Sequence, residues 1–478
     1  MPQIRLLTGK MDLESDQTSR KDEVLAHLIN GYRVGDSLHI WPAKVQHVDL
    51  GVNAPVYVWQ SILHSSLFAV CNGVLYRVVD GVATVVTGPA LTAGTPPAFT
   101  EDAYNVFVAA LSPIYKITGT SAAAIAGGQS PVNVTSLAFV SGFLLANGDD
   151  PAGGGLDGDF AFSDTQGDSG PTYAVWSYEN NASKPDALQA LIATPDDYVY
   201  AIGAESVDVS YVSGDVNNPF ASNKAAAQPF GTPARHSVAY DKQSIYYPSI
   251  IEGNRQTVRL VGGREPQIIG FPVGVPVNDA ERVDDARAFL MGFRGQTFYI
   301  IHLSHANVDI DDIHCDELTL AFNIRAEEWS ILGQWDSSSG TYDAYIGVSF
   351  AYDGNTRYVG GNDGKIYTLT DEVRDAEPML EHRWRNDGNL EWRNGRQLPL
   401  GAIGERRIPL RSTQCGMYYK RQDEFTLNSG DVRMVIRTGW RSWATMKSKT
   451  CHKYVYDVKR GDTGFVLNGI EEELTVTR

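Results

Sequence analysis

From residue 66 to residue 369 the chain repeats one pattern: a short apolar run, a Gly, Asn or Asp turn, a second run carrying an aromatic, and another polar turn. Such a unit cannot bury its own face and must stack on neighbours, so the pattern predicts a ring of small β-sheets. The clearest copy is Leu67-Phe68-Ala69-Val70-Cys71, a turn at Asn72-Gly73, a run from Val74 to Val79, a turn at Asp80-Gly81, and Val82 to Val86. Three antiparallel strands are expected there, because Asn-Gly and Asp-Gly reach the positive φ that two-residue hairpin turns demand.

Further units start near residues 104, 136, 188, 238, 288 and 347. Their spacing of roughly 30 to 60 residues lies around the 40 to 50 of propeller blades and admits six, seven or eight of them. Two stretches rich in Gly, Asp, Asn and Pro, Asp149 to Pro171 and Asn217 to Pro233, read as surface loops able to carry contacts on a rigid scaffold. Residues 1–45 differ: Asp12 to Asp22 is polar, and Val24 to Ile29 predicts a short helix ended by Asn30-Gly31. This segment is expected to be an arm contributing one strand to close the ring, which would remove an open sheet edge. After Glu377 apolar or aromatic residues alternate with charge, as in His382-Arg383-Trp384-Arg385 and Val432 to Arg437. That alternation predicts two sheets with polar outer faces. The expected fold is therefore all-β: an arm (1–45), a β-propeller (46–376) and a small C-terminal β-sandwich (377–478).

Charge divides the chain the same way. Residues 381–478 hold 18 Lys or Arg against 12 Asp or Glu, whereas residues 1–380 hold 22 against 45. An acidic body repels a nucleic-acid backbone and argues against sequence-reading by the main domain. A hydrophobic fraction of 43% excludes large-scale disorder, and no apolar run approaches the length of a membrane span. The opening Met1-Pro2-Gln3-Ile4-Arg5 lacks a signal-peptide core, and Cys71, Cys315, Cys415 and Cys451 show no CxxC spacing. Both point to synthesis in a cytoplasm with free thiols.

Several motifs carry chemistry at first sight. Gly167-Asp168-Ser169-Gly170-Pro171 matches the nucleophile segment of trypsin-type proteases, but no His segment accompanies it and it reads as a Gly-rich turn. His302-x-x-His305 with His314-Cys315 and four nearby aspartates has metal-ligand types at no standard spacing, so an acidic hairpin is expected. Asp164 and Asp353 sit in turn contexts rather than in a catalytic pair. No catalytic, cofactor-binding or metal residues are assigned. Arg383, Trp384, Arg385, Trp392, Arg406, Arg407, Trp440 and Trp443 combine the residue types in which interface energy concentrates, and are the candidate subunit interface.

These segments, taken in order, resemble the packaged-DNA stabilisation proteins of short-tailed bacteriophages, also called tail accessory or tail hub (nozzle) proteins. The similarity runs through Met1-Pro2-Gln3-Ile4, Val70 to Tyr76, Ile202 to Val207, Phe298 to Leu303, Gly347 to Asn355, and His382 to Gly388 with Gly404 to Arg407. The resemblance implies a non-enzymatic virion protein of the tail, made in the host bacterial cytoplasm. In that family six copies form a ring below the portal and its adaptor, extend the DNA channel, help retain the genome, and carry tailspikes or fibres and a tail needle or plug. DNA would slide through without sequence-specific binding. The alternatives are a propeller that cleaves glycans, which needs paired carboxylates in its funnel, and a receptor-binding tail protein.

Overall fold

A computed structural model describes the chain almost continuously from residue 37 to residue 370, with gaps at 126–129, 152–159, 165–172, 180–185, 262–265, 337–340 and a few of one or two residues. It also describes short stretches of residues 3–34 and, beyond residue 378, the backbone of strands. The fold is a seven-bladed β-propeller with almost no helix, a single short α-helix standing at Gly274–Asp279 among the described residues.

Blades 1 to 5 are four-stranded antiparallel sheets whose strands follow one another in sequence; blade 6 forms part of a larger sheet, and blade 7 takes its fourth strand from near the start of the chain. Blade 1 comprises Val56–Ser61, Ser66–Cys71, Val74–Val79 and Val82–Val85. Its Asn72 and Asp80 have φ of 49° and 49°, followed by Gly73 and Gly81 at 77° each, as the two-residue turns require. The expected repeat had captured three of these four strands and missed Val56–Ser61. The first strands of blades 2 to 7 are Ala98–Glu101, Leu137–Val140, Leu188–Ala193, Ala239–Tyr240, Arg287–Phe293 and Gly347–Tyr352. First strands of most neighbouring blades lie side by side and surround the axis.

Both presumed insertion loops contain a strand. Phe160–Ser163 is the third strand of blade 3 and Phe220–Ser222 the outer strand of blade 4. Phe160 and Phe220 are buried against each other, ring centroids 5.4 Å apart, and packing of this kind overrides a turn-rich flanking sequence.

Among the described residues one core cluster lies between each pair of adjacent blades, with a small further one in blade 7. A strand of period 2 serves two of them at once. Val106 and Val108 point to the blade 1 side, while Phe107 and Ala109 point to blade 3. All six residues of Ser66–Cys71 are buried for this reason, and runs that look uniformly apolar are two-faced strands.

The ring closes through residues far apart in sequence. Ala43–Asp49 is the outer strand of blade 7, antiparallel to Lys365–Thr370, with Asp49 opposite Lys365 and Ala43 opposite Thr370. Between the inner strands of blades 7 and 1, the Ser349 hydroxyl donates to the Val56 carbonyl (2.8 Å) and accepts from the Val58 amide (2.9 Å). Gly364, at φ 82°, lies where a Cβ would stand 1.7 Å from the Val52 carbonyl oxygen, so only glycine fits.

The expected helix at Val24–Ile29 is replaced, over its described part, by the strand His27–Ile29. This strand lies parallel to Glu328–Asp336, the outer strand of blade 6, and antiparallel to Met379–Arg385. An open blade edge offers a row of unpaired amides and carbonyls, and pairing with it outweighs a weak helical preference. Asn30 then turns the chain at φ 53° and exchanges two side-chain hydrogen bonds with Gly333, 2.8 and 2.9 Å. Beyond residue 378 the strands fall into two sheets, and each includes N-terminal strands. One continues blade 6 through His27–Ile29; the other pairs Val466–Val476 with Gln3–Leu6 and Ser37–Ile40. In register, Cys415 stands opposite Cys451, whereas Cys71 and Cys315 are buried free thiols.

Candidate functional site

The seven first strands leave a funnel at the ends where they begin. Its cavity, about 260 Å³, takes residues from every blade, among them Tyr57 and Trp59, Phe99, Ser136, Leu191, Arg235 and His236, Arg287 and Phe289, and Phe350. Three segments set its chemistry. In blade 1 the alternation Tyr57-Val58-Trp59 puts both aromatics on one face of the strand, and both line the cavity. Trp59 stacks on Phe99 of blade 2 with centroids 5.1 Å apart and planes at 6°. The connection into blade 5 supplies Arg235 and His236, and the first residue of blade 6 supplies Arg287. The Arg287 guanidinium donates to the Tyr57 hydroxyl at 2.6 Å and lies over the same ring, 5.8 Å from its centroid.

Electrostatically the funnel is the reverse of the body around it. Two arginines and a histidine line it, and no Asp or Glu stands among its described lining residues. Burial, with Arg235 and Arg287 adding to it, pushes His236 down to about 4, so the imidazole is neutral at pH 7. The paired carboxylates that glycan cleavage needs are absent from this described lining. A second cavity, about 360 Å³, lies between blades 4 and 5 near the opposite ends of the first strands, lined by Asp196, Tyr198, Tyr200, Tyr240 and Lys242.

The histidines flagged in the sequence do not converge. His302 is 8% exposed on the second strand of blade 6, its Nδ1 3.0 Å from the Thr319 hydroxyl. Burial first, then Arg287, pushes it down to about 4. His305 pairs with Asp285, and His314 lies between Asp309 (2.7 Å) and Asp316 (3.2 Å) on an exposed hairpin. Among the described residues no three His, Cys, Asp or Glu side chains are arranged to hold a metal ion. Asp353 is a turn former, accepting from the amides of Asn355 (2.8 Å) and Thr356 (2.6 Å). Burial would raise its carboxyl, but these bonds and one from Tyr358 hold it below the usual range. Asp164 follows the third strand of blade 3, its amide donating to the Val175 carbonyl at 2.8 Å. Gly167 to Pro171 lies outside the described residues.

Of the candidate interface, Arg383, Trp384 and Arg385 lie on the strand Met379–Arg385. Trp392, Arg406, Arg407, Trp440 and Trp443 lie outside the described residues. Sequence reading missed every cationic and aromatic residue of the funnel. The available signal was the run Val56 to Gln60, an aromatic alternation just before the clearest repeat.

The family model for bacteriophage P22 Gp10, β-propeller, matches residues 43–374. The chain belongs to this phage-stabilisation family. The match begins at the first residue of the closing strand and ends just after blade 7, so the family's unit is the closed ring. Membership in this family supports a phage structural protein, placed in the virion and assembled with other virion proteins. No curated protein matches the chain. Among solved structures the chain is similar to the extracellular domain of a putative one-component system from B. thetaiotaomicron (10% identity, TM-score 0.45), covering 69% of this chain and 40% of that one. Virginiamycin B lyase from Staphylococcus aureus is similar at 13% identity and TM-score 0.43, over 69% of this chain and 98% of the lyase. The N-terminal domain of Nup159 is similar at 10% identity and TM-score 0.39, over 66% of this chain and 88% of that domain. No helix among the described residues is long and apolar enough to cross a membrane.

Proposed function

We propose that this chain is a tail hub, or nozzle, subunit: six copies form a ring below the portal and its adaptor, extend the DNA channel and help retain the packaged genome. The ring supports tailspikes or fibres and a needle or plug, and it catalyses no reaction. The observation that carries this reading is the coincidence of the phage family match with the closed propeller, residues 43–374. A funnel of about 260 Å³ walled by aromatic rings admits no duplex, so the DNA channel is formed between copies rather than through each propeller. The acidic body, facing such a channel, would repel the DNA backbone and let it slide. Residues 377–478 form a basic sandwich that meets the acidic body of the next copy, a heterologous contact able to close into a ring.

Gold-labelled antibody on particles from a lysate of the source cells tests the placement by electron microscopy. Label at the tail vertex is expected. Label at fibre tips would favour receptor binding, and label on no particle would remove the reading. Ring assembly undisturbed by both Trp384→Ala and Arg406→Ala would dismiss the proposed interface.

A further inference from the structure

The funnel presents two guanidinium groups and no described carboxylate, in a chain whose net charge is −17. Arg235 is exposed, and its side chain has no hydrogen-bonding or ion-pair partner among the described residues. Two acidic groups of blade 6 lie near Arg287 but stand outside the cavity lining: Asp285, which pairs with His305, and Glu317, 3.8 Å from the neutral His302. Trp59, Phe99, Phe289 and Phe350 line the same cavity, Trp59 and Phe99 stacked on each other. We propose that this funnel is a docking site for a short acidic peptide segment of another protein, one Asp or Glu carboxylate held by Arg235 and Arg287 and its apolar neighbours against the aromatic walls.

Charge complementarity selects this occupant. Guanidinium forks bind a carboxylate bidentately, and aromatic walls cover apolar flanks without loss of many rotamers. A polyanion would meet two cations inside a strongly acidic body, and each added phosphate would be repelled, so nucleic acid is disfavoured. His236 is neutral and adds no third positive charge, which limits the site to one or two negative groups. A volume of about 260 Å³ accepts a few side chains and not a folded element.

Isothermal titration of the full-length protein tests the proposal. The probes are capped pentapeptides with a central Glu flanked by Leu, Phe or Tyr, their Gln counterparts, inorganic phosphate and octathymidylate. At least one Glu peptide is expected to bind, with its Gln counterpart weaker by about tenfold or more, the worth of a charge-assisted contact. Arg235→Ala removes an exposed side chain and should fold normally while weakening the Glu peptide by a similar factor. Arg287→Gln should do the same, and its unfolding curve separates lost binding from lost structure. Equal binding of Glu and Gln peptides, binding by neither, or indifference to Arg235→Ala would overturn the proposal. Tighter binding of phosphate or octathymidylate would also overturn it, pointing to a free anion or to nucleic acid.

Discussion

Blade 1 and the last two blades are built from the same four-stranded sheet by different means. Blade 1 is written in one stretch: its strands run from Val56 to Val85, and its middle turns are Asn-Gly and Asp-Gly. Blade 7 is incomplete until Ala43–Asp49 pairs with Lys365–Thr370. Blade 6 is covered at its outer edge by His27–Ile29 and carries an interior ion pair, Arg33 to Glu328 at 3.4 Å, with side-chain exposures of 6% and 8%. Tyr32 and Trp41 complete its aromatic core around Phe298, at 5.2 and 4.8 Å. Local strands in a ring can form early, whereas the closing contacts must await loop closure across almost the whole propeller. The residues before Val56 are therefore part of the propeller's final stability rather than an appendage to it.

The contrast predicts a graded series of effects. Deleting residues 1–49 should abolish the single cooperative unfolding transition seen by calorimetry, because it exposes two blade edges and opens three inter-blade cores. A sharp transition retained by that variant would mean that blades 6 and 7 are self-sufficient. Glu328→Gln should cost about 3 kcal/mol in denaturant unfolding, since it takes the negative charge out of a buried ion pair with Arg33. Burial already raises the Glu328 carboxyl, with Arg33 opposing that rise.

Gly364→Ala should cost about 3 kcal/mol, because positive φ and a collision with the Val52 carbonyl act together at the closing seam. His302 adds a pH dependence to blade 6. Its folded value of about 4 lies below the ordinary 6.5, so the unfolded chain takes up the proton more readily. Its effect is nil above pH 6.5 and grows as pH falls to 4, where it should cost about 3 kcal/mol as an upper figure. Glu317 and Glu328, both raised by burial, act in the opposite sense over part of that range. The measurement is therefore the difference between wild type and His302→Gln in melting temperature against pH, which should widen in favour of the variant on acidification. Gly81→Ala in blade 1 has nearly the same φ as Gly364 and only the His47 ring nearby, so about 1 kcal/mol is expected. Equal costs at Gly81 and Gly364 would show that the seam is no tighter than an ordinary hairpin.

Much of the propeller was legible because its signals are local. Asn72-Gly73 and Asp80-Gly81 announce hairpins from their own backbone preferences, and period-2 strands between such turns announce blades. Phe160–Ser163 and Phe220–Ser222 were hidden because Gly, Asp and Asn surround them and only their burial against other strands makes them β. His27–Ile29 was read as helix because three residues carry no period, and an edge more than 300 residues away decides their state. The funnel was illegible for the same reason. Tyr57, Arg235 and Arg287 share no motif, and they meet only because seven first strands are arranged around one axis.

By itself the sequence determined the repeating hairpin unit, the all-β class, the acidic body and, through its order of segments, the family. These follow from turn chemistry, side-chain alternation and charge, which need no partner distant in the chain. Only the tertiary structure decided the count of seven, the strand that closes the ring, and the cationic funnel in an acidic protein. Each of those depends on which edges are left open once the blades pack, and an open edge is a property of the assembled ring and not of any segment.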